Sequence, residues 1–458
     1  MRFVTMLAGL AVVTTPLLAQ KEAPPAAGTP KDFQLPPRKS FTLANGLQVT
    51  LVHYGVVPKV AVNLQVRTGA IDEAADEVQL SALTADMLLE GTTTRSASDI
   101  SRQAADMGGT LASGSGDDAV TIGGEALSES AAGFVTLLGD VVLHPRFAAA
   151  DVERLRANRA RDNAIAQSQP GQITRAKFRE MMFGDHPYGR VFPTDAMLAG
   201  YSAEKVRAFY ASNFGARRAR LYVSGVFDAA KVERAVRTAF QAWPAGVGPT
   251  VKPPTPVTHR QLQLIDRPDA VQSSLRVGLP VADPASPDWI KLSVTDAILG
   301  GAFGSRITSN IREDKGYTYS PFSFVGSWPK TGVWLEIADV TTNVTGPSLK
   351  EIFYEVDRLR GEAPPEKELA GIKNNMVGIF TIQNSSRNGV INQLEFVDLY
   401  GLGDSYLSSY VKNVLAVTPE QVRATATRYL DPSRMTITVV GDKKTVEPQL
   451  DPYRTGVP

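Results

Sequence analysis

The chain alternates between short segments with period-two hydrophobicity and longer segments with helical periodicity. In LQVTLVHYG (47–55) and KVAVNLQVRTGA (59–70), apolar residues recur at every second position, as expected for half-buried strands. Because strands and helices alternate in blocks, the predicted fold class is α+β. Helical patterns predict helices over 78–89, 96–107 and 128–143, followed by a long polar helix over about 149–167.

Part of the pattern repeats along the chain at a fixed offset. The segment YSAEKVR (201–207) is echoed by VTPEQVR (417–423), and ARLYVSG (219–225) is echoed by MTITVVG (435–441). Both pairs are 216 residues apart, since 423 − 207 and 441 − 225 give the same difference. Two matches at one offset favour a duplicated domain.

A Pro-rich stretch, WPAGVGPTVKPPTP, lies between the two halves and is typical of a linker. A chain of 458 residues with 43% apolar content can bury more than one core, because single cores rarely grow beyond roughly 250 residues. The predicted organisation is an N-terminal domain over 39–243, a linker over 244–257 and a C-terminal domain over 258–450.

The first 20 residues place one arginine before an apolar run that ends in small residues, which is the layout of a secretory signal peptide. The alternative is a membrane anchor, but Thr14, Thr15 and Pro16 interrupt the run, which is shorter than the ~20 apolar residues of a span. The polar, Pro-rich residues 21–38 predict a disordered leader. We therefore expect an exported, periplasmic protein with no membrane span after signal removal.

Composition narrows the function classes. Lys and Arg number 48 against 47 Asp and Glu, and no long basic run occurs, so nucleic-acid binding is not expected. The absence of cysteine excludes disulfides and a lipoprotein attachment site. No G-x-S-x-G motif is present, and no two of the histidines stand at metal-ligand spacing. These histidines are His53, His144, His186 and His259.

The order strand, strand, helix, LLEGT and second helix around LSALTADMLLEGTTTRSASDI (80–100) resembles the N-terminal domain of the insulinase and pitrilysin metallopeptidases, the inverted zincins. In that family the helix carries H-x-x-E-H, in which two His bind zinc and the Glu is the general base. Matching MLLEGT to the family phrase places Ala82 and Asp86 at the His positions and Ala85 at the base. The resemblance therefore implies a degenerate metal site.

The family's third zinc ligand is a Glu on a later helix, and Asp162, in RARDNAIAQSQP, falls at or next to that position. Two carboxylates, Asp86 and Asp162, do not replace nitrogen ligands and a base, although the sequence leaves open whether any metal binds near them. We expect no metal in this chain and zinc in a partner. The sequence leaves open whether the basic residues of the same helix line the chamber or form a solvated face, and the solvated face is favoured; they are Arg154, Arg156, Arg159 and Arg161.

The segment GGAFGSRITSNIREDKGYTYS (300–320) resembles the C-terminal signature of the same family and is intact. In active members an Arg and a Tyr seven residues apart in this signature hold the substrate carbonyl in the zinc-bearing domain, and Arg312 and Tyr319 match that pair. The alternative interpretation is ordinary structure, in which Arg312 pairs with an acidic neighbour and Tyr319 packs on a strand.

One eroded and one intact signature together resemble the non-catalytic subunit of the family's two-chain peptidases. The resemblance implies two homologous domains of mixed β-sheet covered by helices, forming half of a clamshell. It also implies a zinc-free subunit, inactive alone, that encloses an oligopeptide and supplies Arg312 and Tyr319 to a homologous partner carrying H-x-x-E-H. Two alternatives stay open: a structural or assembly protein, like the core subunits of the respiratory cytochrome complex, or a peptide-binding protein acting alone.

Overall fold

The computed structural model describes Gly28, residues 33–403 and residues 405–454. The predicted signal peptide and most of the predicted leader lie outside the described residues. The end of the leader segment contacts the folded chain, because Phe33 packs edge-on against Phe380 with ring centroids 5.2 Å apart.

Eleven strands of the described residues form two sheets. The first sheet has the order β1-β2-β6-β3-β5-β4 and the second has the order β7-β11-β8-β10-β9. The strands are β1 (Arg38–Thr42), β2 (Gln48–His53), β3 (Lys59–Val66), β4 (Thr110–Ser115), β5 (Val120–Leu127), β6 (Ala219–Gly225), β7 (Gln261–Asp266), β8 (Gln272–Val281), β9 (Phe322–Trp328), β10 (Thr331–Thr341) and β11 (Thr436–Gly441).

The two sheets share one topology. In the first, β2 pairs parallel with β6, and the pairs β6–β3, β3–β5 and β5–β4 are antiparallel. In the second, β7 pairs parallel with β11, and the pairs β11–β8, β8–β10 and β10–β9 are antiparallel. Strands β6 and β11 are the pair matched in sequence at the offset of 216. The predictions of two like domains and of the α+β class are therefore confirmed.

Fifteen α-helices of the described residues cover the sheets. They are α1 (Leu80–Met87), α2 (Ala97–Asp106), α3 (Ala131–Leu143), α4 (Ala149–Ser168), α5 (Pro170–Phe183), α6 (Asp195–Ala199), α7 (Ala203–Asn213), α8 (Ala229–Phe240), α9 (Trp289–Asp296), α10 (Thr345–Gly361), α11 (Glu366–Gln383), α12 (Arg387–Tyr400), α13 (Ser405–Leu415), α14 (Pro419–Tyr429) and α15 (Lys443–Leu450). The four helices predicted from periodicity correspond to α1 to α4, with ends displaced by at most three residues.

Each sheet buries one face in a core of its own half. Alternate residues of β3, such as Val60 and Val62, belong to the first core, and Leu275 and Val277 of β8 belong to the second. This is the period-two burial that the sequence pattern indicates.

The opposite face of each sheet is covered by a helix from the other half. Phe178 and Met182 of α5 pack with Val333 and Leu335 of β10, while α12 packs Leu394 and its neighbours on the first sheet. The helices α5 and α12 begin 217 residues apart, close to the repeat offset, so they occupy equivalent positions in the two halves. Each half thus exchanges one helix with the other. The halves form one compact unit through these two helices.

No helix of the described residues has both the length and the apolar content needed to cross a membrane.

Candidate functional site

The helix that carries the degenerate zinc positions is anchored by a buried carboxylate. Glu73 accepts hydrogen bonds from the backbone N–H of Gln79 and of Ser81, both at 2.9 Å, and from the Ser81 hydroxyl at 2.5 Å. These donors lie at the start of α1, where N–H groups have no partner within the helix. Burial raises the pKa of Glu73, against the opposing effect of these hydrogen bonds. The anchor fixes the position of α1 beside a cavity.

The three degenerate positions of α1 differ in their surroundings. Ala82 lines a cavity of about 430 Å³, whereas Ala85 is fully buried in the first core. Asp86 accepts a hydrogen bond from Arg159 of α4, with an N–O distance of 2.6 Å. An ion pair therefore stands where the family has a zinc ligand.

Asp162 lies near this pair without joining it. Asp86, Arg159 and Asp162 line a second cavity of about 380 Å³ beside the first. Asn163, the next residue, is buried and donates to the carbonyl of Pro193 at 3.2 Å. The structure thus brings Asp86 and Asp162 to one cavity. Arg159 is not part of a solvated face, because its side chain is only 18% exposed, pairs with Asp86 and lines this cavity.

The residues at this site do not fit a catalytic zinc. Ala82 and Ala85 carry no donor atom, and the guanidinium of Arg159 holds the one carboxylate of the motif. Arg175 lines both cavities and adds a further positive charge, which disfavours a dication. Across residues 28, 33–403 and 405–454, no three or more His, Asp or Glu side chains are grouped to hold one metal ion.

The second candidate site, Arg312 and Tyr319, lies at the surface. The Arg312 guanidinium sits 4.6 Å from the ring centroid of Phe303 and 5.0 Å from that of Tyr319, so it is stacked between two aromatic rings. It also forms an ion pair with Glu313 at 3.1 Å. The Tyr319 side chain is 79% exposed. The structure brings the two residues together, and neither lines the cavities near Ala82 and Asp162.

The backbone around Arg312 is unusual for a helix. Residues 297–301 and 308–314 are π-helical, a conformation that occurs mostly as short segments and often at functional sites. Gly316 follows in the left-handed region with φ 64°, and its N–H donates to the carbonyl of Arg312 at 3.1 Å. This turn reverses the chain so that Tyr319 lies over Arg312.

Comparison with known proteins decides the family. The family model described as insulinase, peptidase family M16, matches residues 48–192, and the model described as peptidase M16 inactive domain matches residues 200–376. The chain belongs to the insulinase family. An uncharacterized zinc protease of Streptomyces coelicolor is 23% identical over 412 residues, which cover 88% of this chain and 89% of the relative.

Solved structures of other proteins share the fold. The peptidase M16 inactive domain of Pseudomonas fluorescens superposes with a TM-score of 0.82 at 22% identity, covering 88% of this chain and 98% of that one. A chain of complex III2 from Candida albicans superposes with a TM-score of 0.75 at 16% identity, covering 91% of this chain and 100% of that one. At these identities the likeness establishes the fold alone.

Sequence reasoning missed the arginines that surround the degenerate site. Besides Arg159, the cavities are lined by Arg175 and Arg179 of α5 and by Arg190. Hydrophobic periodicity did not predict α5, so Arg175 and Arg179 were not assigned to a helix. The packing of α5 on the second sheet depends on contacts between residues that are distant in sequence. A cue was available in RAKFRE (175–180), which places two arginines four residues apart on one helical face.

Proposed function

We propose that this chain is the non-catalytic, zinc-free subunit of a heterodimeric zinc oligopeptidase. A homologous partner carrying H-x-x-E-H would bind zinc and carry out the metal-dependent hydrolysis. This chain would supply Arg312 and Tyr319 to the partner's active site and enclose the oligopeptide. The proposal includes export to the periplasm, on the strength of the signal-like residues 1–20.

The observation that carries the proposal is the unequal state of the two signatures. At the zinc positions, Ala82 and Ala85 lack donor atoms and Asp86 is bound by Arg159. In the C-terminal half, Arg312 and Tyr319 keep the family spacing and are in contact. A chain that retains the second signature without the first can act on a substrate only beside another chain that supplies the metal.

The surroundings of Arg312 and Tyr319 support an approach by a second chain. The pair lies close in sequence to β9, which is an edge strand of the second sheet. Phe322 and Phe324 of β9 are stacked 6.0 Å apart and are exposed, as is Phe303. Exposed aromatic and arginine side chains are enriched in protein interfaces.

The chemistry of the pair suits a carbonyl that gains negative charge during hydrolysis. A guanidinium and a phenol both donate hydrogen bonds. Donors aimed at a developing oxyanion stabilise the transition state more than the bound substrate, and this difference lowers the barrier to hydrolysis. Removing one such donor typically costs about 10²–10³ in kcat. An extended peptide could be held by an open sheet edge, of which β4 is one in the first sheet.

The test is to purify the chain with its native partner and measure chelator-sensitive peptide cleavage. Arg312→Ala is expected to lower kcat about 10²-fold or more, and Tyr319→Phe about tenfold, with assembly intact. Arg428 and Tyr429 provide a matched control, because their guanidinium and ring are also stacked, at 5.1 Å. Arg428→Ala and Tyr429→Phe are expected to leave kcat unchanged.

A second candidate function is a structural or assembly role without catalysis, and a chain of the assembled complex III2 shares this fold. If Arg312→Ala and Tyr319→Phe leave the activity of an assembled complex unchanged, the assembly role is the better explanation. A purified single chain that binds one equivalent of zinc and cleaves peptides would refute both.

A further inference from the structure

Two arginines that line a common cavity, Arg175 and Arg276, form no ion pair within the described residues. Arg175 of α5 lines three adjoining cavities and forms no hydrogen bond or ion pair within the described residues. Arg276 of β8 lines the third of these cavities, and its one hydrogen bond is to the carbonyl of Gly171, at 3.3 Å. Its buried Nε has no partner within the described part of the chain.

The two guanidinium groups are close enough to repel one another. The pKa of Arg276 is lowered to about 10, first by burial and then by the charge of Arg175. Burial also lowers the pKa of Arg175, and the neighbouring Arg179 contributes to that lowering. Like charges kept together in a partly buried place are costly, and Asp117 and Asp339 offset only part of that cost without forming ion pairs with them.

The carboxylates nearby are already engaged by other donors. Asp117 accepts from Arg179 at 3.0 Å and from the indole N–H of Trp328 at 2.7 Å. Asp86 is paired with Arg159, and Glu73 holds the start of α1. Asp339, whose charge partly offsets that of Arg276, accepts from the Ser274 hydroxyl and forms no ion pair with Arg276. Both arginines are therefore free to pair with an external anion.

The boundary of the cavities indicates which kind of molecule could bring that anion. The edge strand β4 ends at Ser115, which lines the first cavity with Gly116, and the edge strand β9 lines the third through Phe324 and Ser327. An extended chain added to either edge would place alternate side chains over the arginines. The third cavity, of about 300 Å³, also has an apolar wall that includes Phe178 and Leu335.

We propose that Arg175 and Arg276 form a carboxylate subsite for an acidic peptide, in the space between the two halves of the chain. The peptide carries a Glu, an Asp or its own C-terminal carboxylate at the arginines, next to an apolar side chain in the cavity that Phe178 lines. The choice of a peptide rests on the proposed function. The anion site itself rests on two neighbouring guanidiniums that form no ion pair within the described residues.

The test is a titration of the purified single chain with two fluorescent heptapeptides that differ only in a central Glu or Gln. The Glu peptide is expected to bind about tenfold tighter or more at low salt, because charge-assisted hydrogen bonds to arginine are roughly twice as strong as neutral ones. Arg175→Gln and Arg276→Gln are each expected to remove most of this preference. A C-terminally amidated version of each peptide distinguishes a side-chain carboxylate from the terminal one.

Arg234→Gln on α8 is the control, because Arg234 is exposed, lines none of these cavities and loses the same charge. Arg175→Lys, which keeps the charge without the planar fork, is expected to retain part of the preference. Equal binding of both peptides, no binding of either, or an equal loss in Arg234→Gln would overturn the proposal. Inorganic phosphate that binds to Arg175 while peptides do not would also overturn it.

The titration uses the chain without a partner, whereas the proposed catalytic role is measured on the complex. A titration in which the Glu peptide is not preferred therefore does not decide whether Arg312 acts in catalysis. An active complex whose kcat does not change with Arg312→Ala likewise does not affect the conclusion about Arg175 and Arg276.

Discussion

At the scale of single residues, the second half holds a pair of buried acids that oppose stability at neutral pH. Asp296 accepts from the Ser323 hydroxyl at 2.5 Å and from the Trp334 indole at 2.9 Å, while both carboxyl oxygens of Glu336 are buried without a partner in the described residues. Burial raises the pKa of Asp296 to about 7 and raises that of Glu336 well above its usual value, with Asp296 contributing. Both groups are therefore protonated in the folded chain at mildly acidic pH.

The pH dependence of stability follows from these raised pKa values. In the unfolded chain the two carboxyls ionise near pH 4, so between about pH 4 and the folded-state pKa the folded chain binds more protons. The contribution of these two groups to the free energy of unfolding is thus highest below about pH 4 and falls as pH rises to about 7 and beyond. Glu336→Gln is expected to raise stability at pH 8 by about 1 kcal/mol or more, with a smaller gain at pH 4.5.

Thermal unfolding at the two pH values, followed by circular dichroism, measures this difference. Glu129→Gln removes an exposed carboxyl and is the control, with no change in melting temperature expected at either pH. A lower melting temperature for Glu336→Gln at pH 8 would contradict the interpretation of Glu336 as a buried, uncompensated acid.

At the scale of elements, α5 and α12 join the two halves of the chain, a role that their helical periodicity does not indicate. Each lies on the sheet of the other half. The side chains of α12 are tied to the first sheet by polar contacts as well as by packing. Tyr222 donates to Asp398 at 2.5 Å, Arg220 pairs with Asp398, and Asn63 donates to Glu395. The exchange links the two sheets through both apolar and charged side chains.

Truncation of one apolar side chain in this contact tests its contribution. Leu394 is 3% exposed and packs with Val52, Ala61 and Tyr222. Leu394→Ala is expected to lower the free energy of unfolding by about 2–5 kcal/mol, because it leaves a cavity between α12 and the sheet. Urea unfolding measures the change, and Ile382→Ala on the exposed face of α11 is expected to change it by less than about 0.5 kcal/mol. Equal effects of the two substitutions would show that α12 contributes little.

At the scale of the whole molecule, the duplicated topology does not make the two halves independent. The predicted N-terminal domain, 39–243, ends before the linker, yet the face of its sheet that holds Tyr222 is covered by a helix beginning at Arg387. The predicted C-terminal domain, 258–450, depends in the same way on α5. The domain boundaries stay predictions. The contacts indicate that separating the chain at these boundaries would expose one apolar face of each sheet.

Expression of residues 39–243 alone is expected to give a chain that binds a hydrophobic dye and unfolds at a lower temperature than the full chain. The physical reason is the loss of Val390, Ile391 and Leu394 from the face that Val52 and Tyr222 share. Dye fluorescence and calorimetry measure both effects, with the full-length chain as the reference. A monomeric fragment with an unchanged melting temperature would instead establish an autonomous domain.

The residues of the degenerate site illustrate what could be predicted from the sequence. The missing zinc ligands at Ala82 and Ala85 and the intact spacing of Arg312 and Tyr319 are local patterns, and local patterns can be read without coordinates. The pairing of Asp86 with Arg159 could not be predicted in this way, because 73 residues separate them and α4 presents arginines at several positions. The same holds for Arg175 and Arg276, which belong to different halves.

By itself, the sequence determined the α+β class, the first four helices, the repeat at 216 residues and the erosion of the metal motif. These features depend on hydrophobic periodicity and residue type, which act over a few neighbouring residues. Only the tertiary structure decided that α5 and α12 are exchanged, that an ion pair fills a zinc position, and that Arg175 and Arg276 meet without an anion. Such contacts depend on which faces pack together across the whole chain, and sequence periodicity carries no information about that choice.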